Sequence, residues 1–371
     1  MVVMALDHTR DYFHFGAQHG ADPLDLATTT PWLFLTRWIT HYCAPLFSFL
    51  AGTGVFLSTL RGKSKRELSW FLLTRGLWLV LLELTFFKWA WTFSFDLHQN
   101  WGLVIWSLGW SMVALAALIH LPVWAVGVFG VTLMVAHNAL DGIRAESWGS
   151  LAWLWHILHL RGPVMFGEAF RFRVGYPLIP WVGVMAAGYA FGAVYRLDPS
   201  ARRRWLVGLG IGLMVAFVDL RFTNAYGDAM PWGAQPRAGY TVLSFLNCVK
   251  YPPSLCYLLM TLGPGILLLG CFEGGTPAWL RPFLVFGRVP FFYYFVHIPL
   301  IHALAVLLNL ARIGSADVWV LGGNHPPPPG TGVSLLAVYL VWAAVMVGLY
   351  PLCRWFADLK RRRREAWLTY F

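Results

Sequence analysis

The stretch "FSFLAGTGVFLSTLRGKSKRELSWFLLTRGLWLVLLEL" (Phe47–Leu84) decides the fold. Two long apolar runs flank a short basic break, "RGKSKRE" (Arg61–Glu67). An apolar run of that length is what a helix needs to cross a bilayer. Lys and Arg packed into a short connection mark it as cytoplasmic. The stretch therefore reads as span, inside loop, span.

The rest of the chain repeats the pattern. Of 371 residues, 58% are hydrophobic and only 12% charged, with 21 Trp and 27 Phe. A soluble domain carries about 25% charged residues, so water cannot cover this surface on all sides. In all, apolar runs lie near 34–60, 68–95, 101–119, 122–140, 177–196, 204–220, 253–272, 283–309 and 333–356. The opening run, Met1–Leu6, adds a short tenth. The expected fold is all-α: a polytopic transmembrane helix bundle of about ten spans, read as one integral domain over 1–371. Two further basic blocks, "RLDPSARRR" (Arg196–Arg204) and "CRWFADLKRRRREAW" (Cys353–Trp367), fall on the same side as the first if there are ten spans. Both termini then lie inside.

The net charge of +11 is thus a topology signal, and no nucleic-acid partner is expected. Membrane lipids are the expected surroundings, and a homo-oligomer is left open. The five cysteines form no CxxC pair and most sit in apolar runs, which predicts buried thiols without disulfides. Polar residues interrupt the first apolar run too early for a cleavable signal peptide. The outer loops would be 11–33, 141–176, 221–252 and 310–332. "GNHPPPPG" (Gly323–Gly330) in the last of them should be a stiff extended segment.

Charged groups inside a bilayer cost about 2.5–3.5 kcal/mol each even on the gentler insertion scale. Each needs a partner or a use. "MVVMALDHTRDYFHFG" (Met1–Gly16) gathers Asp7, His8, Arg10 and Asp11 where an apolar helix should leave the membrane. A carboxylate that holds one imidazole nitrogen leaves the other free as a base. A helix-end ion pair is the plainer reading. His14, His19, His98, His156, His159, Arg161, Arg171 and Arg173 fall on the same side. Arg37 and His41 lie in the second span and His297 in the ninth. Glu83 and Lys88 share the third span, where mutual pairing is expected.

"HILH" (His156, His159) has a spacing that could place two ligands on a metal, but no acid is near in sequence, so no metal is expected. The polar, aromatic loop before the eighth span carries Asn224, Asp228, Trp232, Gln235, Asn247, Lys250 and Tyr251. Such mixtures of planar polar groups and rings suit a sugar.

Several long phrases, in order along nearly the whole chain, carry a resemblance. They are "MALDHTRDYFHF", "TRWITHYCAPLFSFLAGTGVFL", "WSLGWSMVAL", "YPLIPWVGVMAAGYAFG", "TVLSFLNCVKYPPSLCYLLMTLGP", "FGRVPFFYYFVHIPLIHALA" and "YPLCRWFADLKRRRREAWLTYF". The chain resembles the bacterial membrane proteins that share the heparan-alpha-glucosaminide N-acetyltransferase catalytic domain. The resemblance implies a transmembrane acyl transfer in a bacterial inner membrane. Acetyl-CoA or another acyl-CoA binds from the cytoplasm, and the acyl group passes to an amine or hydroxyl of a cell-envelope glycan outside. In that family an asparagine at the outer end of the first span and a histidine in the next loop form the catalytic pair. The asparagine position falls on Asp7, and the histidine position near Gln18, beside His19. Relatives carry further residues upstream, including an LDxLRG-like phrase, so the opening run is expected to be the second half of a span.

The chemistry implies roles. An acceptor must lose a proton as it attacks a thioester, and a held histidine can take it. Asp7, His8, His14 and His19 are the catalytic candidates. Arg10, Asp11, Arg37, His41, Asn224, Asp228, Asn247, Lys250, Tyr251 and His297 are the candidate substrate contacts. CoA phosphates need cations, for which Arg75 and Arg288 are placed near cytoplasmic ends of spans. Two other classes remain at this point. A transporter or flippase would line its path with Glu83, Lys88, Arg288 and His297. A scaffold subunit would use all these groups only as helix glue.

Overall fold

A computed structural model describes residues 1–96, 98–167, 170–317, 328–363 and 365–371. Most of "GNHPPPPG" lies outside the described residues. Among the described residues there are ten longer helices: α1 (Val2–Phe13), α2 (Cys43–Leu60), α3 (Lys65–Leu82), α4 (Val104–Leu118), α5 (Val123–Ala136), α6 (Leu178–Phe191), α7 (Pro199–Thr223), α8 (Leu255–Cys271), α9 (Pro290–Ile313) and α10 (Leu335–Arg362). Among the described residues, seven helical runs are long and apolar enough to cross a membrane. Four of these runs exceed single helices: Pro31–Leu60 joins the short helix Pro31–Ile39 to α2, Lys65–Thr92 extends α3, Val123–Leu140 extends α5 and Leu178–Arg196 extends α6. α4 and α8 are apolar but shorter.

The deciding stretch folds as two long apolar helical runs joined by a short turn. Gly62 takes φ +86° in the turn, where a side chain would be strained. Ser64 then caps α3 in a reciprocal box: its hydroxyl accepts from the Glu67 N–H, and the Glu67 carboxylate accepts from the Ser64 N–H.

Glycines set how closely the helices meet. A Cβ on Gly52 would lie 2.0 Å from the Met185 carbonyl oxygen, and one on Gly188 would lie 2.0 Å from that of Phe49. α2 and α6 therefore touch backbone to backbone, the small-residue packing typical of membrane helices.

Two features depart from an all-α reading. Strands β1 (Gln99–Gly102), β2 (Gly162–Phe166) and β3 (Phe170–Val174) form a small sheet in the order β1-β3-β2. β1 runs parallel to β3 and β2 antiparallel to it. Alternation along β3 buries Phe172 and Val174 against Trp106 and Val164, and turns Arg171 and Arg173 the other way. The second feature is a π-helical turn at Glu83–Phe87. Glu83 does not pair with Lys88. Its carboxylate faces the backbone N–H groups of Leu103, Ile105 and Trp106 at the start of α4, where a helix end attracts negative charge. The Lys88 ammonium instead lies 5.0 Å from the Trp101 ring centre.

The two ends of the bundle differ. At one, the basic break and the tail meet: Arg75 donates to the Thr369 carbonyl at 2.6 Å, and Lys65 reaches the His120 and Leu121 carbonyls. At the other, the loops preceding α6 and α8 close over α1. All five cysteines are free; Cys248, Cys256 and Cys353 are buried, and Cys271 is exposed.

Candidate functional site

A cavity of about 820 Å³ opens at the loop end of the bundle. Asp7, His8, Arg10 and Asp11 of α1 line it, together with Arg37, His41, Asn247, Lys250 and Tyr251. Nine sequence candidates, drawn from α1, the Pro31–Tyr42 region and the loop before α8, thus share one space.

His8 stands at the centre. Its Nδ1 lies 2.8 Å from His297 Nε2, and His297 Nδ1 lies 2.7 Å from the Tyr293 carbonyl oxygen. A carbonyl can only accept, so His297 Nδ1 carries a proton and donates it. The neutral His297 ring then accepts at Nε2, and His8 Nδ1 must be the donor. This leaves the lone pair of His8 on Nε2, for which no hydrogen bond is found among the described residues. The Trp91 and Tyr294 rings meet His8 edge-on at 4.9 and 5.9 Å and fix its plane. His297 is fully buried and reaches the cavity only through His8.

Asp7 does not hold the histidine. Its carboxylate bridges two guanidiniums, Arg37 at 2.5 Å and Arg10 at 3.0 Å, and Arg10 also reaches Asp11. Asp7 thereby fixes Arg37 across the gap between α1 and the next helix. His41 is fully buried, with neither ring nitrogen hydrogen-bonded.

The opposite wall is cationic and aromatic. Arg161 and Lys250 lie 5.0 and 5.2 Å from the centre of the Tyr251 ring. The Tyr251 hydroxyl is 3.3 Å from that of Tyr176. Burial pushes the Tyr251 phenol up, but the Lys250 ammonium and the Arg37 guanidinium overcome it and bring it down to about 8. Burial and the neighbouring phenol push Tyr176 well above its ordinary value. At neutral pH both phenols are therefore donors.

Other candidates sit elsewhere. His14 Nδ1 accepts from the Gly16 N–H, and His19 lies tilted against the Phe15 ring in an exposed position; neither lines the cavity. Asn224 exchanges two hydrogen bonds with the Trp232 backbone. Asp228 accepts from the Val249 N–H and the Ser254 hydroxyl. Both shape the loop that presents Lys250 and Tyr251. Arg75 is engaged with the tail at the far end. Arg288 ends the short helix Leu284–Arg288, exposed and without a hydrogen bond or ion pair among the described residues.

Sequence reasoning passed over Arg221, which is 2% exposed. Its guanidinium donates to the carbonyls of Met230, Ser244, Phe245 and Asn247 and so organises the whole loop. Its one signal was a charge at the end of an apolar run. Trp91, Trp101, Tyr176 and Tyr294 also line the cavity, and nothing local set them apart from the many other aromatics. His159 does meet an acid, but not through "HILH". It converges with His137 and Asp141, while His156 packs on Gly162.

Residues 3–220 match the family model described as heparan-alpha-glucosaminide N-acetyltransferase, catalytic. The chain belongs to that family. The matched part holds His8, Asp7, Arg10 and Arg37, and also Arg161 and Tyr176 of the opposite wall. His297, Lys250 and Tyr251 come from beyond it. Family membership and the apolar helices together make the chain an integral membrane protein of an acetyltransferase family. Comparison with curated proteins and with solved structures gives no match.

Proposed function

We propose that the chain is a transmembrane acyltransferase. It takes an acyl group, acetyl in the simplest case, from acyl-CoA on the cytoplasmic side. It delivers it to a sugar amine or hydroxyl on the other side of a bacterial inner membrane. The observation that carries the reading is His8, held through His297 with Nε2 free toward the cavity.

The acceptor sits in the cavity with its nucleophilic N–H or O–H against His8 Nε2. As the acceptor attacks the thioester carbonyl, His8 takes the proton, and the His297–Tyr293 chain keeps the ring aligned. Negative charge develops on the carbonyl oxygen. Arg37, pinned by Asp7, and the Tyr251 phenol are the donors placed to meet it. Collapse expels the CoA thiolate, which recovers the proton from His8. At the basic end, Arg288 is unengaged and is the better candidate for a donor phosphate. Arg75 is already satisfied by the tail. Trp91, Trp101 and Tyr176 supply faces for a sugar ring.

The test is transfer of labelled acetyl from acetyl-CoA to a panel of amino sugars and glycans by detergent-purified protein. The reading requires transfer that His8→Gln abolishes. No acetyl-CoA binding and no transfer, combined with solute flux in proteoliposomes without CoA, would assign the cavity to transport.

A further inference from the structure

At the rim of the bundle, outside the cavity, the last turn of the α5 run and the end of the Ala152–Leu158 helix bring together His137, Asp141 and His159. One nitrogen from each ring and one carboxylate oxygen all lie within 4.8 Å of one another. Both histidines are buried, at 1% and 0% exposed. Neither nitrogen of His137 makes a hydrogen bond, although the Pro253 carbonyl faces the ring. Burying unsatisfied imidazole nitrogens is costly, and the bare His137 ring beside a second imidazole and a carboxylate calls for a partner.

We propose that His137, Asp141 and His159 form a binding site for a zinc-class divalent cation, with three protein ligands and an open fourth position. Two imidazoles and a carboxylate are a donor set such ions take. The carboxylate is already oriented for it. The Asn138 amide donates to Asp141 Oδ2 at 2.8 Å, leaving Oδ1 turned to His159 Nε2 at 3.6 Å. An outer hydrogen bond of this kind fixes a metal-ligating carboxylate. His159 is stacked on Trp155, with ring centres 5.1 Å apart. A tetrahedral ion draws its ligands to about 3.4 Å of one another, so modest ring rotations complete the site. His159 Nε2 would then give up its present bond to the His137 carbonyl.

The ion has a structural consequence for the cavity. Asn138 also accepts from the Leu255 N–H at 2.9 Å, the first residue of α8 and close behind Lys250 and Tyr251. His159 stands two residues before Arg161, which lines the cavity. A cation here fastens the segments that carry Arg161 and Tyr251 to the end of α5.

The test uses the full chain in detergent, purified without chelator and titrated with Co²⁺. The proposal requires the visible absorption of a low-coordinate N/O cobalt site, saturating at stoichiometric metal and displaced by Zn²⁺. It requires that absorption to vanish in His137→Gln and to persist in His98→Ala, which removes an exposed His–Asp pair. It also requires that EDTA lower the Tm of the wild type and that Zn²⁺ restore it. Only the spectrum of the hydrated ion in wild-type protein overturns the proposal, whether or not the variants fold. So does absorption that survives His137→Gln or disappears in His98→Ala.

Discussion

At the level of single residues, the direction of the His8–His297 chain is set by the Tyr293 carbonyl, and that direction yields a testable hierarchy. His8→Gln removes the base and should lower acyl transfer by about 10²–10⁴-fold, the usual worth of a positioned proton acceptor. His297→Gln keeps the base but loses its orientation, so its loss should be smaller. Acetyl-CoA binding, read by thermal shift, should survive both. Tyr251 predicts a pH effect. Its phenol, held near 8 by Lys250 and Arg37, donates below that pH and loses its proton above it. Transfer should therefore fall as pH rises through 8, in step with a tyrosinate absorbance change that Tyr251→Phe removes. A flat rate through that range with Tyr251 titrating would show that its donor role is dispensable.

The residues of α1 were legible because charge in an apolar run is expensive and stands out. The identity of the partner was not. A carboxylate beside a histidine in sequence invites a pairing, yet on a helix Asp7 and His8 point in different directions. Asp7 went to two arginines and His8 to a histidine 289 residues away. No local pattern carries a contact of that separation.

At the level of elements, backbone contact between α2 and α6 leaves no room for a side chain at Gly52 or Gly188. Gly188→Leu should separate the two helices and destabilise the protein by at least the ~1–3 kcal/mol of ordinary overpacking, seen as a clear drop in Tm. Gly54, which meets nothing within 4 Å, should accept alanine without a shift. In the same way, Arg221→Met strips the donor from four loop carbonyls. Hydrogen exchange should rise across residues 224–254 while α2 and α6 stay protected. Exchange confined to the substituted residue's own helix would assign Arg221 a purely local role. The helices were readable from apolar length. The sheet was not, because its strands are short and β1 pairs with β3 from a distant part of the chain. Its partners are set by tertiary packing, and "FRFRV" (Phe170–Val174) gave alternation without a partner.

At the level of the whole molecule, the loops before α6 and α8 gather over the cavity, and the basic break and tail gather at the far end. Charge in short connections made this division legible from sequence. The cavity itself was not, since it exists only once the loops before α6 and α8 meet over α1. In the proposed orientation the far end faces the cytoplasm. Asp22→Cys, at the cavity rim, should then react with an impermeant thiol reagent from outside intact cells, and Ser64→Cys, in the basic break, should not. The most direct test of the central claim is acyl transfer across a sealed membrane. Labelled acetyl-CoA is placed at the basic face of oriented proteoliposomes and the glycan acceptor is trapped at the cavity face. Labelled acceptor is expected with wild-type protein and none above background with His8→Gln. Equal labelling by the two proteins would contradict that claim.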